Sequence, residues 1–551
     1  MTKRHTDGAT DWARVARQLG LKPNAIQRRH FLGLVVAAAT ASCAGPASDD
    51  HEMDTASPDP GPLPDVPLPE LTSDPFTLGV ASGDPLDDSV ILWTRLAPKP
   101  LEGGGMPTES APVLWEVAAD PAMTQVVQAG YVLAHPELAH SVHVDAQGLE
   151  PDTWYWYRFT IGNYVSPVGR TRTLPTADAS VGELKIAAAA CQAWKDGYYT
   201  AYHHLAQEDV DVVFFLGDYI YESGAGGPVR DHNSNTVYSL DEYRNRYGLY
   251  KEDLDLQAAH ARFPWVVTWD DHEVANNYAG DVADQSSPID FLSRRANAYQ
   301  AYYEHMPIRV LPPDGPDLGL YRAFCFGDLA TFYVLDGRQY RSDQPCGDKT
   351  GDPACEEMKD PTQQMLGEGQ EAWLLNGLGK SQTVWNVLAQ QTVMTNVDFG
   401  GAFLNFDQWD GYPVARQRLI NFLNENAIDN VVALTGDIHS YGVGTINEIV
   451  TDTDSPVRLT EFVVSSITST AYALNQLQDF IEYAIATMPQ VLFFDVTKRG
   501  YVRCTITPDM WRTELRSVDS VLEPTSDIQT IASFELDRAS TDSGPIQIDD
   551  A

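Results

Sequence analysis

The sequence predicts an α/β fold in which two sheets face each other, preceded by an N-terminal β-sandwich. Three observations carry that expectation. Ile186–Ala190, Val210–Leu216, Trp265–Thr268 and Asn430–Leu434 are nearly unbroken apolar runs, the pattern of strands buried on both faces. Helical stretches at Tyr199–Glu208, Ile289–Met306, Gly369–Leu378 and Ala415–Asn424 alternate with strands, which argues for helices packed around a sheet. Between Phe76 and Pro175, short runs rich in β-formers are separated by Gly and Pro, the spacing of a sandwich.

Residues 1–43 read as a leader. Gln27-Arg28-Arg29-His30-Phe31-Leu32 precedes the apolar run Leu34–Ala39. The run is too short to span a bilayer and its flanks fit an export signal. The paired Arg28 and Arg29 resemble the twin-arginine class, which implies the twin-arginine machinery as a partner. Thr40-Ala41-Ser42-Cys43 resembles a lipoprotein cleavage site, with Thr40 where Leu is usual. Cys43 is therefore a candidate lipid anchor, and the protein is expected in the periplasm, at the cell surface or secreted. Residues 44–70 are rich in Asp, Pro and Ser, a composition that cannot order itself by burial.

Residues 71–178 form the expected sandwich, with strands at Val90–Arg95 and Val113–Val117. Leu149-Glu-Pro-Asp-Thr-Trp-Tyr-Trp-Tyr157 resembles the tyrosine corner of fibronectin-type domains. Residues 181–521 form the large α/β part, in which Thr331–Leu335, Thr383–Leu388, Val457–Val464 and Gly500–Ile506 complete the two sheets. Residues 522–551 hold one further β run, Ile528–Leu536, and a polar end expected to fray. Cys346 and Cys355 flank a polar loop, and an exported setting permits a disulfide there. Cys325 and Cys504 could pair or stand apart as buried thiols.

The formal charge of −40 is spread along the chain. A nucleic-acid partner is not expected, because neutralising its backbone needs clustered Lys and Arg. The same charge repels an anionic bilayer, so membrane attachment is expected only through a lipid anchor. A small anionic substrate stays open, since bound cations invert the local field.

Four segments carry chemistry: Cys191, Gly217-Asp-Tyr-Ile-Tyr221, Trp269-Asp-Asp-His-Glu273 and Gly436-Asp-Ile-His439. Each follows the C-terminal end of an apolar run, and groups past such strand ends converge on one crevice. Asp218 can bridge two cations, and Tyr221 can return to the same side. Phenolate suits ferric iron, and a thiol beside a metal is deprotonated and becomes a ligand. Carboxylate and amide oxygens around Asp270, Asp271, Asn276 and Asn277 suit calcium or magnesium. Asp437 and His439 share a face of an extended segment. His272 stands where a general acid or phosphate-binding group is useful. Arg338 and Arg341 are candidate substrate clamps, with solvated ion pairs as the alternative.

Together with Phe76-Thr-Leu-Gly-Val-Ala-Ser-Gly-Asp84, Tyr243-Arg-Asn-Arg-Tyr247, Ala298-Tyr-Gln-Ala-Tyr-Tyr-Glu-His305, Asp336-Gly-Arg-Gln-Tyr-Arg341 and Trp409-Asp-Gly-Tyr-Pro413, these segments resemble the PhoD family of alkaline phosphatases, relatives of the metallophosphoesterases. The resemblance spans nearly the whole mature chain and implies a metallophosphoesterase-like two-sheet α/β sandwich. It also implies phosphomonoester and phosphodiester hydrolysis with one Fe3+ and two Ca2+. On that basis Cys191 and Tyr221 map to iron, Asp218 and Asp437 to iron–calcium bridges, and Asn277 and His439 to further ligands, with Asn276 a substitute for Asn277. Asp270, Asp271 and His272 match the central catalytic motif. Gly337 stands where the family commonly has Thr.

No Gly-x-Ser-x-Gly elbow and no Gly-x-x-x-x-Gly-Lys loop occurs in the chain, so serine-nucleophile and nucleotide-driven chemistry are disfavoured. The expected reaction is in-line attack on phosphorus by an oxygen nucleophile that cations activate. The alternatives are a phospholipase-D-type diesterase with the same metals and a non-catalytic surface binding protein.

Overall fold

The computed structural model describes residues 58–548, apart from 225, 284–287, 349–353, 398–404, 471–482, 484 and 485. Arg28, Arg29 and Cys43 lie outside the described residues.

Two sheets pack face to face. In the first, Leu184–Ala189, Val212–Phe215 and Pro264–Val267 run parallel. Arg499–Ile506 pairs antiparallel with Leu184–Ala189 and is followed outward by Met510–Val518 and Ile528–Asp537. In the second, Ala330–Val334, Trp385–Ala389, Val431–Thr435 and Val457–Val463 run parallel.

The two-residue period of the strands sorts their side chains. Ile186, Ala188, Phe214 and Val266 point at the second sheet and meet Phe332, Val387, Val432 and Leu434. Phe214 and Phe332 stack with centroids 4.5 Å apart. Ala187, Ala189, Val213 and Phe215 point the other way, into a core with Tyr202, Tyr243, Tyr247 and Tyr299. Those tyrosines come from the helices Thr200–Leu205, Leu240–Lys251 and Phe291–His305. Gly367–Leu378 and Pro413–Glu425 cover the outer face of the second sheet through Leu374, Leu419 and Ile420. The strands named from the sequence are thus present, each with ends moved by a residue or two.

Three features differ from the sequence expectation. The N-terminal sandwich is not self-contained. Val80–Gly83 pairs in parallel with Pro264–Val267, and Ser89–Arg95 and Ser141–Gln147 continue the same sheet, which reaches ten strands. An otherwise bare edge of Pro264–Val267 is thereby covered. Only Ala111–Ala118, Val126–Ala134, Trp154–Ile161, Tyr164–Val165 and Gly169–Arg172 form a separate five-stranded sheet. Arg322 latches the parts together: it donates to Asp84 Oδ2 at 2.9 Å and Oδ1 at 2.6 Å, and to the Val267 carbonyl at 2.9 Å.

Second, the helices Leu240–Lys251 and Leu254–Arg262 were not foreseen. The first opens on a capping box in which Ser239 and Glu242 satisfy each other's backbone N–H. Third, the polar end does not fray throughout, because Ile546–Ile548 pairs with Ile528–Asp537. The corner motif holds: Tyr155 Oη accepts the Glu150 N–H at 3.0 Å. Cys346 and Cys355 are bonded to each other, with Cα atoms 5.9 Å apart. Cys504 is a free buried thiol beside Thr513 and so does not pair with Cys325.

Candidate metal centre

The four chemical segments follow the strands Leu184–Ala189, Val212–Phe215, Pro264–Val267 and Val431–Thr435. Because neighbouring strands run parallel, the loops after them leave on one side. The loops turn sharply. Cys191, Asp218, Asn277, Asp437 and His439 all have positive φ, between 52° and 66°. Non-glycine residues held there carry strain, and such residues cluster at functional sites. Gly217, at φ 111°, precedes Asp218, and a Cβ on it would stand 2.7 Å from the Asp270 nitrogen. No side chain fits between these two loops.

The donors meet in three overlapping groups, each with one ligand atom per residue and all such atoms within 4.8 Å of one another: Cys191, Asp218 and His439; Asp218, Asp271 and His272; Asp270, Asp271 and Asp437. Asp218 and Asp271 each belong to two of these groups, and Asp437, the other bridge that the resemblance implied, belongs to the third. Tyr221 Oη donates to Asp218 Oδ2 at 2.9 Å, lies 3.0 Å from His439 Nε2, and accepts from Ser469 Oγ at 2.7 Å. Asn277 sits at the rim, its N–H donating to Asp271 Oδ2 at 2.5 Å. Asn276 is exposed, and its N–H donates to Glu222.

Electrostatics favour added positive charge. Burial pushes the Asp218 and Asp270 carboxyls well up, and Asp437 up to about 7. Burial, with Asp218 next to it, also pushes up the Cys191 thiol and the Tyr221 phenol. Burial opposes charge on His272, but Glu222, Asp271 and Asp218 outweigh it and hold the imidazole well above its ordinary range. Asp270 Oδ2 and Asp271 Oδ1 are buried without a hydrogen-bond partner among the described residues. Buried carboxylate oxygens of that kind are costly unless paired or metal-bound. Thiol, phenol, imidazole and carboxylates on one side, and oxygen donors alone on the other, fit one transition metal and hard cations beside it.

Arg338 and Arg341 do not reach solvent, so the alternative of solvated ion pairs is corrected. Their side chains are fully buried. Arg338 bonds Asp270 through Nε and Asp407 through Nη1 at 2.8 Å, and its Nη2 lies 3.5 Å from Asp437. Arg341 bonds Asp407. Both form a cationic floor under the acidic cluster.

The sequence reading missed several supports. Glu273 accepts the N–H groups of Asp218 at 3.1 Å, Tyr219 at 2.5 Å and Asp270 at 2.9 Å, tying two loops together. Glu222 holds His272 Nδ1 at 2.7 Å, which fixes the ring as second partners of histidine ligands do. Both glutamates stood within or beside the named motifs. Asp407, two residues before Trp409, and Gln408, which bonds Asp437, gave no comparable signal. Ser469, bonded to Tyr221, lies in a polar stretch of no distinctive pattern.

The PhoD-like phosphatase family model matches residues 186–515, and the model of the PhoD-like phosphatase N-terminal domain matches residues 65–175. Alkaline phosphatase D of Bacillus subtilis (strain 168) is 49% identical over 484 residues, covering 86% of this chain and 82% of that protein. A solved structure of PhoD superposes with a TM-score of 0.83 at 48% identity, covering 88% of this chain and 94% of the other.

Proposed function

The chain belongs to the PhoD-like phosphatase family and is an alkaline phosphatase of that type, and we propose that it hydrolyses phosphate monoesters and diesters outside the cytoplasm with Fe3+ and Ca2+. The observation that carries the cation dependence is the set of three donor groups linked through Asp218 and Asp271, with two carboxylate oxygens left without a hydrogen bond among the described residues. Cys191, Tyr221, Asp218 and His439 would hold the iron. Asp218, Asp271, Asp270, Asp437 and the Asn277 amide would hold calcium. Bound cations supply Lewis-acid neutralisation of the phosphoryl oxygens and lower the pKa of the attacking oxygen.

The chain's own residues do the positioning. Glu222 occupies one ring nitrogen of His272, so the other is available to the substrate. With Glu222 beside it favouring the charged ring, His272 would donate from that nitrogen to a phosphoryl or leaving oxygen. Glu273 keeps the loops of Asp218 and Asp270 in register. Arg338 balances the charge of Asp270, Asp407 and Asp437.

Elemental analysis of purified protein and turnover of p-nitrophenyl phosphate and its bis ester test this function. Iron and calcium should co-purify, and chelation should abolish turnover until calcium is returned. Full turnover by metal-free protein would overturn it. Export rests on Arg28 and Arg29 and on the Cys346–Cys355 bond, which suits an oxidising compartment. Cys43 is the proposed anchor. An R28K/R29K variant should accumulate in the cytoplasm; unimpaired export would contradict the twin-arginine route.

A further inference from the structure

Asn277 offers four polar groups, and three are committed. Its N–H donates to Asp271 Oδ2 at 2.5 Å, its carbonyl accepts from Gln344 Nε2 at 2.7 Å, and its Nδ2 donates to Asp348 Oδ2 at 3.2 Å. Only Oδ1 has no partner among the described residues. A carboxylate accepts and cannot donate, so it selects the NH2 end of a carboxamide. The planar group then turns its oxygen away from Asp348.

Asp348, which sets this orientation, and Gln344, which holds the Asn277 backbone, flank a covalent tie. Gln344 and Asp348 lie on either side of Cys346, which is bonded to Cys355. Gln344 Nε2 also reaches Asp407 Oδ1 at 2.8 Å, so one end of the segment rests on the buried arginine–carboxylate floor. Cys346 N–H donates to Glu357 Oε2 at 2.7 Å, which secures the other side of the turn. Asn277 itself is in the left-handed region, at φ 52°, which asparagine adopts more readily than most side chains.

Taking the cation-dependent function above as given, we propose that the segment Gln344–Asp348, tied down by Cys346–Cys355, is a clamp that fixes the Asn277 carboxamide with its oxygen available to an oxygen-preferring divalent cation beside Asp271. Gln344 and Asp348 are positioning residues: neither need touch the cation or the substrate. The disulfide then supports the metal centre and not only the stability of an outer loop.

Equilibrium dialysis of the full mature enzyme against radiolabelled calcium tests the clamp, with iron content and urea midpoint measured on each variant to confirm folding. D348A and C346S/C355S should each weaken calcium binding about tenfold, the lower range for partners of metal ligands. D348N retains an acceptor oxygen and should lose less. N277A should weaken binding at least as much, and D348A added to N277A should cost nothing further. Calcium binding by D348A equal to wild type, or a D348A loss that persists in the N277A background, would overturn the clamp alone. A wild-type enzyme that takes up no calcium would overturn the cation-dependent function and the clamp with it.

Discussion

Replacing Glu273 by Ala should disassemble the centre without touching a ligand. The Glu273 carboxylate is fully buried and accepts three backbone N–H groups, from Asp218, Tyr219 and Asp270. Each buried amide left unpaired costs about 1–3 kcal/mol. Three of them sum to roughly 3–9 kcal/mol, and a water entering the space left behind would recover part of that. A loss of at least about 3 kcal/mol is expected, a large share of the roughly 5–15 kcal/mol that holds a domain folded. E273Q keeps the shape but turns an NH2 toward a donor, so it should lie between wild type and E273A. Urea midpoints give the stability, and elemental analysis of the same samples gives cation content. If E273A unfolds within about 0.5 kcal/mol of wild type, the size of an ordinary surface substitution, and keeps its iron and calcium, Glu273 is not the tie between the two loops.

Three further outcomes are expected. D218A and D437A should each lose turnover on p-nitrophenyl phosphate by more than about a thousandfold, roughly 4 kcal/mol of barrier; wild-type rates in either would refute their place in the centre. R338M leaves Asp270 and Asp407 without their shared cation and should cost about 3–5 kcal/mol, as breaking buried pairs does; an unchanged urea midpoint would argue against the charged floor. Lys251 is buried over Trp93, and burial pushes its ammonium down from 10.5 to about 7. Between those values the unfolded chain holds the proton that the folded one has released, so stability rises with pH across that window. K251M should remove roughly 4 kcal/mol of that rise between pH 7 and 10, and an identical slope in the variant would refute the assignment.

What the sequence made legible follows from what periodicity and residue type encode. Strands such as Val212–Phe215 and Val431–Thr435 were visible because a strand packed on both faces has no room for polar residues. The donors Cys191, Asp218, Asp271, Asp437 and His439 were visible because they follow those strands at once. The joining of Val80–Gly83 to Pro264–Val267 was not visible, since pairing across so much chain leaves no local trace. Leu240–Lys251 was missed although its capping box, Ser239 to Glu242, is a readable start signal. Its tyrosines blur the amphipathic pattern, because they are buried on several sides. The fate of Arg338 was hidden too. An arginine in a phosphatase suggests a phosphate clamp, and only the three-dimensional arrangement shows it enclosed among Asp270, Asp407 and Asp437.

The run of hydrogen bonds from Ser141–Gln147 through Val80–Gly83 to Pro264–Val267 also decides how this protein can be cut and recombined. A fragment starting near residue 181 would carry every metal donor, yet the strand that delivers Asp270 and Asp271 would end in open solvent, its amides free to capture a second chain. Exchanging the first half for one from a distant relative would have to preserve the Ser82–Pro264 register and the Asp84–Arg322 latch. The two parts are therefore to be engineered and expressed as one piece.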